Sequence, residues 1–189
     1  MKNRALPLLL RFACAAFALA LAPLAHAAVV ETSASSLQVR HTLTTAAKPE
    51  KVWQSLLHVE QWWSGAHTYS GSAANLRLEP RAGGCFCETL PDGGGVVHMT
   101  VVHLRPNAQL TLSGALGPLQ TSGVTGAMTF LIAPAASGST LTFTYNVGGY
   151  FAGGLDKVAA PVDAVLGEQL QRLQRLIETG KAEAAKPAP

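Results

Sequence analysis

From Leu37 to Thr45 the chain reads LQVRHTLTT, alternating apolar and polar residues with the two-residue period of a strand that buries one face. The period then changes. In KPEKVWQSLLHVEQWW, Pro49 suits the first helical position, where its missing N–H breaks no bond, and Val52, Trp53, Leu56 and Leu57 recur on one face. This spacing predicts two short helices that end near Trp62 and Trp63. Six short apolar or alternating runs follow, at 75–79, 84–90, 96–104, 109–114, 126–132 and 140–147, separated by turn-forming clusters such as PDGGG, RPNAQ and APAASGS. None of these loops can hold a crossover helix, so the strands are expected to form an antiparallel meander. After GGYFAGG (148–154) the spacing of Leu166, Leu170, Leu173 and Ile177 becomes helical, with Pro161 suited to the first turn and Gly180 to the C-terminal cap. A helix over 161–179 would be about 28 Å long and would cross a whole sheet. The order predicts an α+β domain: a curved antiparallel sheet of six or seven strands packed on a long C-terminal helix, with two short helices after the first strand.

The ends differ in composition. Residues 1–27 open with Lys2 and Arg4, run through a Leu/Ala-rich stretch and close on Ala25-His26-Ala27, the pattern of a cleaved export signal. Arg11 and Pro23 interrupt the stretch well short of the roughly 20 apolar residues a membrane-spanning helix needs, so no anchor is expected once the signal is removed. Residues 28–36 (AVVETSASS) read as a flexible tether, 37–180 as one domain, and 181–189 (KAEAAKPAP) as a disordered tail.

Export changes the charge balance. The formal charge of +3 comes from fourteen Lys/Arg against eleven Asp/Glu, and Lys2, Arg4 and Arg11 leave with the signal. The remaining chain is neutral and lacks the basic footprint of a nucleic-acid binder. No phosphate-cradling G-x-x-x-x-G-K-[ST] motif is present, and no cofactor is expected. A periplasmic or secreted location also implies an oxidising environment for Cys85 and Cys87.

Several phrases carry a family likeness: KPEKVWQSLLHVEQWW, LRLEPRAGGCFCE, VVHLRPNAQLTLSG, GAMTFLI, STLTFTY and the final amphipathic helix. Together with the element order they resemble the SRPBCC or START-like superfamily, whose helix-grip fold wraps a sheet around a long C-terminal helix. Within it, the likeness is to the branch of the Aha-type Hsp ATPase activator domain and the polyketide cyclase/dehydrase proteins. It spans residues 39–178. The resemblance implies a cavity between sheet and helix, in a superfamily that contains carriers, cyclases and chaperone partners alike. An exported location argues against a cytosolic chaperone partner. The chain also departs from the family phrase after the double glycine, where Cys85 and Cys87 replace large or charged residues flanking the aromatic.

Four kinds of chemistry compete for the candidate residues. An apolar ligand cavity would draw on Trp53, Trp62, Trp63, Tyr69, Met99, Tyr150 and Phe151, with GGYFAGG as a mobile gate. General acid–base work would fall to His98 with Glu88; no Ser-His-Asp or Cys-His-Asn constellation and no G-x-S-x-G is present. A metal would need Cys85, Cys87 and His98 on one face, without support from a C-x-x-C or H-x-x-x-H motif, and none is assigned. A Cys85–Cys87 disulfide meets a geometric obstacle, since residues i and i+2 of an extended strand have Cα atoms nearly 7 Å apart.

Hairpin register decides among these readings. A five-residue PDGGG loop would pair residues whose numbers sum to 186, placing Glu88 opposite His98 on the outer face. Cys85, Cys87, Val97, Met99 and Val101 would then form the inner face, the two cysteines as unpaired thiols lining the cavity or core. Phe86 is the counter-signal, a large apolar residue sent outward. The resulting expectation is an exported protein that holds a hydrophobic or amphipathic small molecule. A cyclase/dehydratase-like enzyme using His98 and Glu88, or a cell-envelope interaction module, stands as the alternative.

Overall fold

A computed structural model describes residues 28–183 of the chain. The proposed signal segment 1–27 and residues 184–189 of the proposed tail lie outside the described residues. Eight antiparallel strands form one sheet in the order β1-β2-β8-β7-β6-β5-β4-β3. They are β1 (Ala28–Ser33), β2 (Ser36–Thr45), β3 (Leu76–Leu78), β4 (Cys85–Thr89), β5 (Gly95–Arg105), β6 (Gln109–Gly114), β7 (Gly123–Ala135) and β8 (Gly138–Tyr150). Between β2 and β3 lie the short helices α1 (Pro49–Leu57) and α2 (Val59–Trp62), and the chain closes with the long helix α3 (Ala159–Thr179).

The alternation seen in the sequence fixes which face is buried. Leu37, Val39, His41, Leu43 and Thr45 of β2 turn inward, as do Leu141, Phe143, Tyr145 and Val147 of β8 and Met128, Phe130 and Ile132 of β7. On α3, Leu166, Leu170, Leu173, Leu176 and Ile177 form the facing stripe. At 1.5 Å per residue its 21 residues span about 31 Å, enough to cross the strands it covers. Gly180, with φ of 77°, ends it in the left-handed conformation that glycine adopts without steric cost. One polar pair sits in this layer: His41 Nε2 lies 2.9 Å from Asp163 Oδ1 of α3, close in distance but too bent to count as a hydrogen bond. A Cβ on Gly167 would come within 3.1 Å of the His41 ring, so glycine makes room for it.

Three expectations need correction. Residues 28–36 are not a tether: 28–33 form β1, which pairs antiparallel with β2 and raises the sheet to eight strands. A small, polar segment carries little strand signal of its own; the open edge of β2 supplies the partner groups that satisfy its backbone. The tail is packed at its start, where Ala182 is buried and its carbonyl accepts from Arg175 Nε–H at 2.7 Å. The GGYFAGG segment is in part strand, since β8 runs through Gly148, Gly149 and Tyr150 paired to β7.

Leu173, fully buried between α3 and the sheet, tests this packing. Leu173→Ala is expected to lower unfolding free energy by about 2–5 kcal/mol in denaturant titrations. The exposed Leu131→Thr on β7 should shift it by less than about 0.5 kcal/mol.

Candidate functional site

The site begins where β4 meets β5. Cys85 pairs with Thr100 and Phe86 with Met99, but Cys87 pairs with Val97 and Glu88 with Val96, so one residue of β5, His98, is left over as a bulge. Cys85 and Cys87 are joined by a disulfide, and their Cα atoms are 5.4 Å apart. That is well short of the nearly 7 Å of an extended strand. The contraction leaves β4 shorter than the strand beside it, and a bulge absorbs the excess in β5. Consequently both His98 and Met99 are buried, while Val97 is exposed. Gly114 pairs with Met99 at this point with φ of 147°, and a Cβ there would stand 2.8 Å from the His98 carbonyl oxygen. No other residue type fits so close to the bulge.

Glu88 and His98 meet inside. His98 Nε2 lies 3.0 Å from Glu88 Oε2, with the Glu88 side chain fully enclosed and that of His98 6% exposed. The carboxylate also accepts the backbone N–H of Tyr69 at 3.1 Å and that of Ser70. Burial pushes the Glu88 carboxyl up, but the hydrogen bonds from Ser70, Tyr69 and His98 outweigh it and hold the group below its ordinary range. At His98 burial prevails over the neighbouring carboxylate, and the imidazole is held below its ordinary value. Near neutral pH the pair is therefore an ionised Glu88 and a neutral His98. An ionised carboxylate only accepts, so Nε2 carries the proton and Nδ1 is a bare acceptor.

This ring lines a cavity of about 710 Å³ between sheet and helix. Phe86, His98 and Tyr145 form its sheet side, and Val162, Val165 and Leu166 of α3 its helix side. Two loops close over it, one through Ala66–Tyr69 and one through Leu116–Thr121. Tyr69 ties them together, its hydroxyl donating to Gly117 O at 3.1 Å while its ring stacks 5.9 Å from His98. The first loop is held to α3, because Ser64 N–H donates to the buried Gln169 Oε1 at 2.7 Å. Burial pushes the Tyr145 hydroxyl up to about 12, opposed by the Leu116 N–H it accepts at 3.2 Å, so it stays neutral. No Lys, Arg, Asp or Glu lines the cavity among the described residues.

Comparison with known proteins agrees with this architecture. A family model described as polyketide cyclase / dehydrase and lipid transport matches residues 36–178. The chain belongs to this family. A conserved protein of unknown function from Enterococcus faecalis superposes with a TM-score of 0.58 at 15% identity, over 86% of this chain and 82% of that one. CalU16 from Micromonospora echinospora gives 0.57 at 13% identity, over 87% and 88%. The Aha1 dimer from Colwellia psychrerythraea gives 0.53 at 18% identity, over 76% and 98%. Likeness at identities this low shows the shared helix-grip fold and nothing finer. No curated protein matches the chain significantly.

Within this polyketide cyclase / dehydrase and lipid transport fold, the candidate residues separate. Trp63, Tyr69, His98 and Phe151 line the cavity. Trp53 and Trp62 are core instead, both buried, with the Trp62 indole N–H donating to Leu56 O at 3.2 Å. Met99 is buried beside the bulge without reaching the lining. Tyr150 is 74% exposed at the end of β8, and its neighbour Phe151 takes the inward place.

Cys85 and Cys87 are neither free thiols nor lining: they are bonded on the face opposite Phe86, which also removes them as ligands beside His98. The register summing to 186 is overturned with them. Phe86, Glu88 and His98 face in, and Val97 faces out. Phe86 carried the missed signal, since an aromatic of that size is costly to leave in water. It packs edge-on against Trp63, with centroids 5.3 Å apart. Tyr145 was also legible, as an inward position in the β8 alternation. The contributions of Val162, Val165 and the 116–121 loop depend on how α3 lies over the sheet.

The dyad predicts a pH response of definite sign. Both groups are depressed in the folded state, so the unfolded chain binds more protons as pH falls: below 6.5 through His98, then below 4.5 through Glu88. The dyad's contribution to stability is present in full well above 6.5 and is lost progressively as pH falls below it. In thermal melts from neutral to acid, His98→Gln should flatten the upper part of the decline and leave the lower part.

Thiol counting tests the bulge mechanism. The denatured, unreduced chain is expected to show no free thiol from Cys85 or Cys87. The Cys85→Ser/Cys87→Ser double variant should shift the His98 ring resonances in NMR spectra.

Proposed function

We propose that the protein is an exported carrier that holds a hydrophobic or amphipathic small molecule between the sheet and α3. The observation that carries this reading is the cavity itself, about 710 Å³, walled by Phe86, Val162, Val165 and Leu166 and without Lys, Arg, Asp or Glu in its lining among the described residues. Export is supported by the pattern of residues 1–27 and by the Cys85–Cys87 bond, which persists in oxidising compartments and is rare in reducing ones. No described helix is long and apolar enough to cross a membrane.

A specific observation favours a second reading, a cyclase/dehydratase-like enzyme. His98 and Glu88 are enclosed rather than solvated, and a neutral imidazole oriented by a carboxylate is the form a general base takes. His98 would meet the substrate, and Glu88 would position it.

One experiment separates the two. Protein purified from its own host and analysed by native mass spectrometry is expected to retain a small apolar molecule, and a lipid-extract screen should give saturable binding. Val165→Trp, which fills the cavity from α3, should abolish both while leaving the melt cooperative. No retained molecule and no saturable binding across lipid, isoprenoid and aromatic classes would overturn the carrier. A bound compound recovered with the mass of one water removed, in a His98-dependent way, would mark the enzyme instead.

A further inference from the structure

The lining specifies the polar end of the ligand. Glu88 is enclosed and ionised, and it holds the proton of His98 on Nε2, 3.0 Å away. Nδ1 of the same ring takes part in no hydrogen bond among the described residues, and the ring lines the cavity. The other histidine of the lining, His67, is committed at the rim to Glu168, 3.2 Å away. Tyr145 contributes a neutral phenol, and the Tyr69 hydroxyl is engaged with Gly117. An apolar chamber thus contains an imidazole acceptor, backed by a buried negative charge with no Lys or Arg in the lining among the described residues.

We infer that this cavity selects neutral molecules bearing an O–H donor, a phenol or an alcohol on an apolar body, and rejects carboxylates. The inference rests on the carrier reading and deepens it. A ligand without a donor would displace water from Nδ1 and leave the acceptor unpaired in an apolar enclosure, which is how a polar site discriminates against the analogue lacking the group. A carboxylate fares worse. Seated at Nδ1, it would place a second negative charge roughly 7 Å from Glu88 across one imidazole, by hydrogen-bond lengths. Proton uptake by His98 would relieve only one of the two charges, and burial opposes it. Phenols and alcohols bring the donor without the charge. The stacked Tyr69 and the edge-on Trp63–Phe86 pair supply aromatic surface beside the same ring.

The test uses the full chain and a matched set of probes: para-nonylphenol, its methyl ether, and the benzoate of equal chain length. Affinities are read by calorimetry near about pH 8, where His98 is neutral and the benzoate ionised. The phenol is expected to bind roughly three- to tenfold more tightly than the ether, and the benzoate to be weaker than either. Glu88→Gln is the diagnostic variant. With its amide oxygen kept on the Ser70 N–H, the variant gives up the Tyr69 bond and donates to Nε2; the imidazole proton then moves to Nδ1, and the site should favour the matching aryl methyl ketone over the phenol. Should that variant not fold, the ¹⁵N shifts of His98 in the unaltered chain serve: Nδ1 should read as unprotonated and should move with phenol but not with ether. Phenol, ether and benzoate binding equally would overturn this inference and leave the carrier standing. Failure of all three to bind would also overturn this inference, while the carrier stands or falls with the lipid-extract screen.

Discussion

A mismatch in length between β4 and β5 governs the site. Bonding Cys85 to Cys87 draws two alternate residues of β4 together to 5.4 Å between Cα atoms, and β5 accommodates the difference by expelling His98 from the ladder as a bulge. A regular pair would send His98 and Met99 to opposite faces. The bulge sends both inward and brings an imidazole against Glu88, on the same face as Phe86 and Leu76. Chemistry that resembles a surface ion pair in an ideal hairpin becomes a buried dyad.

Burial then decides the protonation states, and these decide what the cavity can do. A carboxylate with no cationic partner among the described residues is tolerated inside because Tyr69, Ser70 and His98 all donate to it. Tyr69 and Ser70 belong to the loop that also forms the rim, whereas His98 comes from the β5 bulge. The loop is in turn held to α3 through Ser64 and Gln169, and through Arg172 Nε–H donating to Trp62 O at 2.8 Å. The polar end, the rim and the helix that closes the chamber therefore form one connected network. A polar network of this kind holds its geometry only while every member is paired. The remaining wall is apolar and shaped by side-chain size: at Gly126 a Cβ would lie 2.9 Å from the Tyr145 ring, so glycine there lets the phenol occupy its place.

The order of strands and helices follows from periodicity. Two-residue alternation in 37–45 and 140–147, and the helical stripe of Leu166, Leu170, Leu173 and Ile177, are local consequences of backbone geometry, so the α+β order was legible directly, while the helix-grip fold came from the resemblance. The aromatic cavity residues Trp63, Tyr69 and Phe151 were legible as a class, because large amphipathic side chains near glycine-rich loops gather at mouths of sites. The inward face of β4 was not. It depends on a one-residue slip that an i, i+2 disulfide and a bulge create between them, and alternation cannot register a change of phase it does not contain. Contacts distant in sequence turn Phe86, Glu88 and His98 inward, set 28–33 on the sheet edge, and bring Val162 and Val165 over the cavity. Each needs a partner distant in sequence, and pairing, unlike periodicity, is not a property of a local window.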